Sequence, residues 1–342
     1  RDRQTKDRVS IEHAALTDRM VYYWNEVAER VTAVHPNMRF GTSAYGPFSL
    51  PPVLRKLHPS LVVRYVPASP EHVPAWQAAG MRQVFWRPNI LLANWRDGKL
   101  RSIVGQLVGH MHTYADSDIN QSDVSALNHH WATLGPSYYA MARLLWNPRL
   151  SAAEIIADYA AAGFGAGAAS IEHYFTRIEE LTGNVNRSFA SEEDYVYRPE
   201  VLAELRALLN TAEQAANDPV ISRRIAFLRL GLNFTELQET LDYLSLRARE
   251  GLEIDREYAT RLVDLNCLAL RDIVANHHLA CNAANLAWAS AGFARWAPIR
   301  GRRVMPSDPT LLERIGHPDF GLTGQEQGLD DMLAAFGLLQ RE

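Results

Sequence analysis

Apolar positions near the start of the chain recur at helical spacing. Met20, Tyr23, Trp24, Val27, Ala28, Val31 and Val34 lie three and four residues apart and form one stripe, which predicts an amphipathic helix from Leu16 to about His35. Thr17 is placed to cap its first turn, with Leu16 packing on Val21 as a hydrophobic staple. Pro36 disfavours helical geometry at His35 and closes the helix. The period then changes. "MRFGTSAY" is a short apolar run ended by the Pro- and Gly-rich "GPFSLPP", and "LVVRYV" has the β-branched and aromatic content of a buried strand. "VPAWQAAG" predicts a short helix with Gly80 as its stop, and "QVFWRPN" a third strand ended by Pro88.

Helical spacing returns from Leu100 to Tyr114 through Ile103, Val104, Leu107, Val108 and Met111, and "DINQSDVSA" is the candidate for a fourth strand. Strands that alternate with crossover helices imply a parallel sheet. After Pro136 the strand signals stop. "SYYAMARLLWN" is helical up to Pro148, and "SAAE" from Ser151 to Glu154 is a capping box that opens the next helix. Further helical periods cover 168–181, 199–216, 219–229, 232–250 and 256–290, and the glycines of "GFGAGAA" are a helix stop and restart. The expected architecture is therefore α/β followed by all-α: residues 1–136 with the sheet, 137–300 helical, and 301–342 an irregular tail.

The chain has 342 residues, 47% hydrophobic and 22% charged, with a net charge of -4 and no long basic run. Nothing in that balance points to nucleic acid or an anionic membrane as a partner. No apolar run approaches the roughly twenty residues that span a bilayer. Cys267 and Cys281 lack metal-site spacing and are expected to pack as small apolar groups. The opening "RDRQTKDRVSIEH" has no initiator Met and no signal-peptide pattern, so it is expected to be a cut inside a larger protein. Compartment and oligomeric state are left open.

Three segments together carry a resemblance: "LTDRMVYYWNEVAERVTAVHPNMRFGTSAY", "KLHPSLVVRYV" and "HHWATLGPSYYAMARLLWNPRLSAAEIIADYAAAGFGAGAASIEHYF". They resemble a family of bacterial glycoside-hydrolase-like proteins that carries the conserved domain of unknown function 4838 and is distantly similar to α-glucuronidases. The resemblance covers about residues 16 to 250. It implies a (β/α)8 barrel followed by a helical domain, action on a carbohydrate, no cofactor, and possible export. Only four strands precede Pro136, whereas a barrel needs eight, so the expected fold is the C-terminal half of a barrel whose other strands lie upstream. The plain alternative is a smaller α/β sheet capped by helices.

Barrel chemistry sits at the carboxyl ends of the strands. That rule nominates Tyr45, Arg64, Arg87, Asn89, Asp123, His129, His130 and Trp131. Arg64 and Arg87 sit in or just after apolar strands, where a guanidinium needs an anion: either the carboxylate of an acidic sugar or an internal salt bridge. Trp86, Trp131 and Tyr45 offer ring faces to a sugar, or belong to the core. His129 and His130 are adjacent and on an extended chain point to opposite faces. One is expected to bond a sugar hydroxyl, and the other to turn inward.

Glycoside hydrolysis uses two carboxyl groups. Asp123 is the candidate base, while Asp116 and Asp118 read as turn residues and no glutamate lies at a strand end. The expectation is a glycoside-hydrolase-like protein acting on an acidic or decorated polysaccharide. The alternatives are a non-catalytic carbohydrate-binding or scaffold protein and a metal-dependent hydrolase. "GHMH" at His110 and His112 falls in a helical period, His277 and His278 are adjacent without nearby carboxylates, and no HExxH is present, so no metal ligand is nominated.

Overall fold

Thirteen residues upstream of the predicted start, Arg3 to Ala15, carry the first helix further than expected. In the computed structural model α1 spans Arg3–Thr32. No Pro or Gly interrupts that stretch, so nothing stops helix propagation there. Thr17 is thus a buried residue inside the helix and not its cap. The structure describes residues 3–67, 70–82, 84–89, 99–115, 119–123, 130–183 and 196–249, with 257, 276, 277, 279 and 280. The expected helical stretch 256–290, apart from those few positions, and the expected tail 301–342 lie outside the described residues, as do Asp116, Asp118, His129, Cys267, Cys281 and His278.

Four strands form one sheet: β1 (Phe40–Ala44), β2 (Leu61–Tyr65), β3 (Val84–Trp86) and β4 (Ile119–Ser122). They pair in sequence order and every pairing is parallel. This is the α/β organisation that the alternating pattern predicts. Between β2 and β3 lies α2 (Val73–Ala78), and before β4 lies α3 (Val104–Ala115). Gly80 ends α2 as its sequence implies. It has φ 109°, donates to Gln77 O, and lets Met81 N reach back to Trp76 O. This is a Schellman turn sealed by buried Met81 and Trp76.

The chain divides into two compact units that interleave along the sequence. One comprises Arg1–Leu91, Val108–Ala126 and Leu144–Arg149, and the other Leu92–Leu107, Leu127–Arg143 and Leu150–Glu342. In the sheet unit, α1 is tied down by two polar side chains. Asp18 accepts from the backbone N–H groups of Val53, Leu54 and Arg55, and Asn25 bonds Lys56 O and His58 N. These bonds hold the β1–β2 connection, which contains only a 3-10 turn at Gly46–Phe48 in place of a crossover α-helix. Val63, Tyr65, Val84 and Trp86 are buried, and Trp86 stacks on Tyr114 of α3 at 4.7 Å.

The second unit is helical: most of α4 (Trp131–Trp146), then α5 (Ala152–Phe164), α6 (Ala168–Thr182), α7 (Pro199–Ala215) and α8 (Pro219–Arg249). The capping box at Ser151 and Glu154 forms in both directions. Gly165, at φ 50°, ends α5 before a 3-10 turn restarts the chain into α6.

Three expectations change here. Helix α3 begins at Val104, not near Leu100, because the Leu100 and Ser102 carbonyls accept from the Tyr197 and Thr182 hydroxyls and Val104 N donates to Glu179, in place of the i to i+4 bonds of a helix. The Gly135-Pro136 pair lies inside α4 and is not a break, so the expected boundary at Pro136 falls within a helix. Pro136 cannot donate to Ala132 O, and the backbone at Gly231 approaches that carbonyl instead. Helix α8 is one helix through Gly231, where separate helices 219–229 and 232–250 were expected, a single glycine weakening a helix without ending it.

The N-terminus of α3 rests on one side chain. Glu179 of α6 accepts from Val104 N at 2.9 Å and Gly105 N at 2.7 Å, and from the Ser102 hydroxyl. Replacing Glu179 with Ala leaves these donors unmet and is expected to lower unfolding free energy by roughly 2–3 kcal/mol, read from urea denaturation. Gly231→Ala would put a Cβ 2.8 Å from Ala132 O and is expected to lower the melting temperature by several degrees, through a loss on the order of 1–3 kcal/mol.

Candidate functional site at the carboxyl edge of the sheet

Strand parity decides which residues share a face. In the β1–β2–β3 register Ala44 pairs with Tyr65 and Tyr65 with Trp86, all buried. One residue back, Ser43 pairs with Arg64 and Arg64 with Phe85, and these are half-buried or exposed. Gly41 and Val62, on the same face, are also accessible. One face of the sheet is therefore packed and the other is open. Parallel sheets normally have both faces covered, so an open face is the unusual feature of this one.

The ladder continues one residue past the strand ends. Val66 N donates to Ala44 O, Arg87 N to Tyr65 O and Asp123 N to Trp86 O. Side chains two apart on a strand share a face. Tyr45, Arg87 and Asp123 consequently stand on the open face at its carboxyl edge, with Val66 the one buried member of the row and Arg64 on the same face two residues before Val66. Tyr45 is 56% exposed.

The polar bonds among them are specific. Arg87 Nε donates to Asp123 Oδ2 at 3.0 Å and Nη1 to Asn89 Oδ1 at 3.4 Å. The Arg87 side chain is 26% exposed and that of Asp123 52%, so the pair is wet enough that its worth is in orientation and not in stability. This is the internal salt bridge that was the plain alternative for Arg87. Arg64 donates through Nε and Nη2 to Ser43 Oγ, at 3.1 and 2.9 Å. Ser43 had no place among the sequence candidates. A serine in a strand carries no signal until the register sets it beside Arg64.

The packed face corrects one expectation. Trp86 is fully buried, its Nε1 donating to Pro67 O, so it belongs to the core and offers no ring to a sugar. Tyr65, beside it, is also buried, and burial pushes its hydroxyl up to about 12, above the range of a proton donor at neutral pH. His110 lies 6.2 Å from Trp86, with a buried Nε2 that has no hydrogen-bond partner among the described residues, and burial lowers its pKa. His110 and His112 are both on α3, as their helical period predicts.

His130 and Trp131 belong to the helical unit. His130 is fully buried, and its carbonyl accepts from Thr133 N and Leu134 N in the first turn of α4. Its burial fits the inward member of the histidine pair, and His129 lies outside the described residues. Trp131 opens α4, is 42% exposed, and packs its ring against Tyr138 at 4.8 Å. Among the described residues no three His, Cys, Asp or Glu side chains are gathered to hold a metal, and no helix is long and apolar enough to cross a membrane.

Compared with protein families, with curated proteins and with solved structures, the chain matches none.

A pH effect follows from His110. Its folded pKa lies below the ordinary value of 6.5, so the unfolded chain binds the proton more readily. Its contribution to stability is complete above that value and is lost as pH falls from there through the folded pKa. Thermal unfolding between about pH 7.5 and 5 should show His110→Phe losing less stability on acidification than the parent chain.

Proposed function

We propose that this chain contributes the C-terminal half of a (β/α)8 barrel and a following helical domain to a glycoside-hydrolase-like protein. It acts on an acidic or decorated polysaccharide, hydrolysing O-glycosyl bonds in the full-length protein. The observation that carries this reading is the open face of a parallel sheet paired in sequence order, with Tyr45, Arg87 and Asp123 at its carboxyl edge and Arg64 on the same face just behind it. In a barrel that face is the interior and that edge the mouth where chemistry occurs. Further parallel strands closing the barrel would cover what is open here. The resemblance to proteins with the domain of unknown function 4838 agrees with this reading.

The roles follow from chemistry. A guanidinium holds an anionic sugar substituent. Tyr45 offers its ring face to C–H bonds of a sugar. Asp123, oriented by Arg87 with Oδ1 outside that bond, acts as base toward an attacking water. The acid that protonates the leaving oxygen comes from strands outside this chain.

One observation favours a second reading. By strand parity no other carboxylate shares the open face with Asp123 among the described residues. A barrel with a single carboxylate binds sugar without cleaving it, as a carbohydrate-binding or scaffold protein does. Asp123→Asn in the full-length protein separates the two. As a hydrolase it should lose at least about a hundredfold in turnover of an aryl glucuronide, with its melting temperature unchanged. Turnover equal to the parent's would remove Asp123 from the mechanism. No turnover in either protein, with binding of glucuronate weakened by the substitution, would support the binding reading.

A further inference from the structure

The two arginines of the open face are engaged differently. A guanidinium has a side edge, Nε with Nη2, and a terminal edge, Nη1 with Nη2, and each can grip a carboxylate through two parallel N–H bonds. Arg87 uses both edges within the protein. Its Nε holds Asp123 on the side edge, and its Nη1 on the terminal edge reaches Asn89. Its charge is matched by Asp123 at 3.0 Å.

Arg64 is held by a neutral group. Nε and Nη2 converge on the single oxygen of Ser43, its direct cross-strand partner in the β1–β2 register. Among the described residues no carboxylate lies within ion-pair distance of Arg64, and no protein group takes its terminal edge. A hydroxyl at that place fixes the plane of the guanidinium without neutralising it. A carboxylate there would hold it as firmly but would satisfy its charge and compete with any ligand. The side chain is exposed, on the same face as Asp123 and set back from the carboxyl edge by the two residues that separate Phe85 from Arg87.

We propose that Arg64 is the anion-binding guanidinium of this site, taking a carboxylate end-on through Nη1 and Nη2. Ser43 is the residue that positions it, and Arg87 positions Asp123 and does not bind the anion. This assignment rests on the reading of the open face as a site for an acidic sugar. It divides two arginines that the sequence leaves equivalent: one selects the substrate, the other aims the base.

The test is ligand-observed NMR on the full chain with two probes, D-glucuronate and its methyl ester, which share a ring and differ in charge. The parent protein should prefer the acid by about tenfold or more, as one charge-assisted bidentate contact allows. Arg64→Gln should bring that ratio to about one. Ser43→Ala should reduce it several-fold and Ser43→Thr restore it, which a merely structural role for the hydroxyl would not produce. Arg87→Gln should keep the ratio. Loss of the preference in Arg87→Gln but not in Arg64→Gln would overturn the assignment and leave the acidic-sugar reading standing. Equal binding of acid and ester by the parent would overturn it while keeping a neutral-sugar site. Binding of neither probe would remove both the assignment and the reading beneath it.

Discussion

Six consecutive backbone N–H groups, from Leu100 to Gly105, find their partners on three different helices, and the organisation of the helical unit follows from them. Leu100 donates to Thr235 of α8, Arg101 and Ile103 to Thr133 O and Ser137 Oγ of α4, Ser102 to Thr182 of α6, and Val104 and Gly105 to Glu179 of α6. The Tyr197 hydroxyl closes the set from the other side, donating to Leu100 O. A buried extended segment has no ladder of its own, so each of its polar groups must be met by something else. Here the answer is a set of Thr, Ser and Glu side chains at core positions, where an apolar residue would leave a donor stranded.

That requirement explains residues that otherwise look misplaced. Ser137 and Thr235 inside α4 and α8, and Thr182 at the end of α6, are polar residues in apolar helices and are fully or almost fully buried. Pro136 inside α4 leaves Ala132 O without its helical donor, and Gly231 allows α8 to come against that carbonyl. Gly135 plays a related part, since a Cβ there would lie 2.7 Å from the Tyr159 hydroxyl. The small and the ring-closed residue of "GP" serve close helix packing, not chain reversal.

In the sheet unit the governing constraint is parity. A parallel register places every second side chain on one face, so the pairing of Arg64 with Ser43 and Phe85 puts Tyr45 and Arg87 on that face, and the register shift between Val84 and Phe85, which pairs Phe85 with Gln121, puts Asp123 there as well. Charge is then distributed unevenly across it. Arg87 is matched by Asp123, whereas among the described residues Arg64 is met by a hydroxyl alone. The same residue type thus stands in two electrostatic states within one row of strands.

Local physics was legible in the sequence wherever it decides the outcome by itself. The β-branched run "LVVRYV", the capping box at Ser151 and Glu154, and the αL stop at Gly80 each depend on residues within a few positions of one another. So does the change from alternating α/β signals to unbroken helical period. Tertiary structure decided what depends on distant partners. The start of α3 moved to Val104 because Tyr197, Thr182 and Glu179 claim the Leu100 carbonyl, the Ser102 carbonyl and Val104 N from as far as 97 residues away. Trp86 passed from candidate to core because parity set it on the packed face, and His130 turned inward while Trp131 stayed exposed. Ser43 gained a role only when the register brought Arg64 beside it, since hydrogen bonds across strands leave no trace in spacing along one of them.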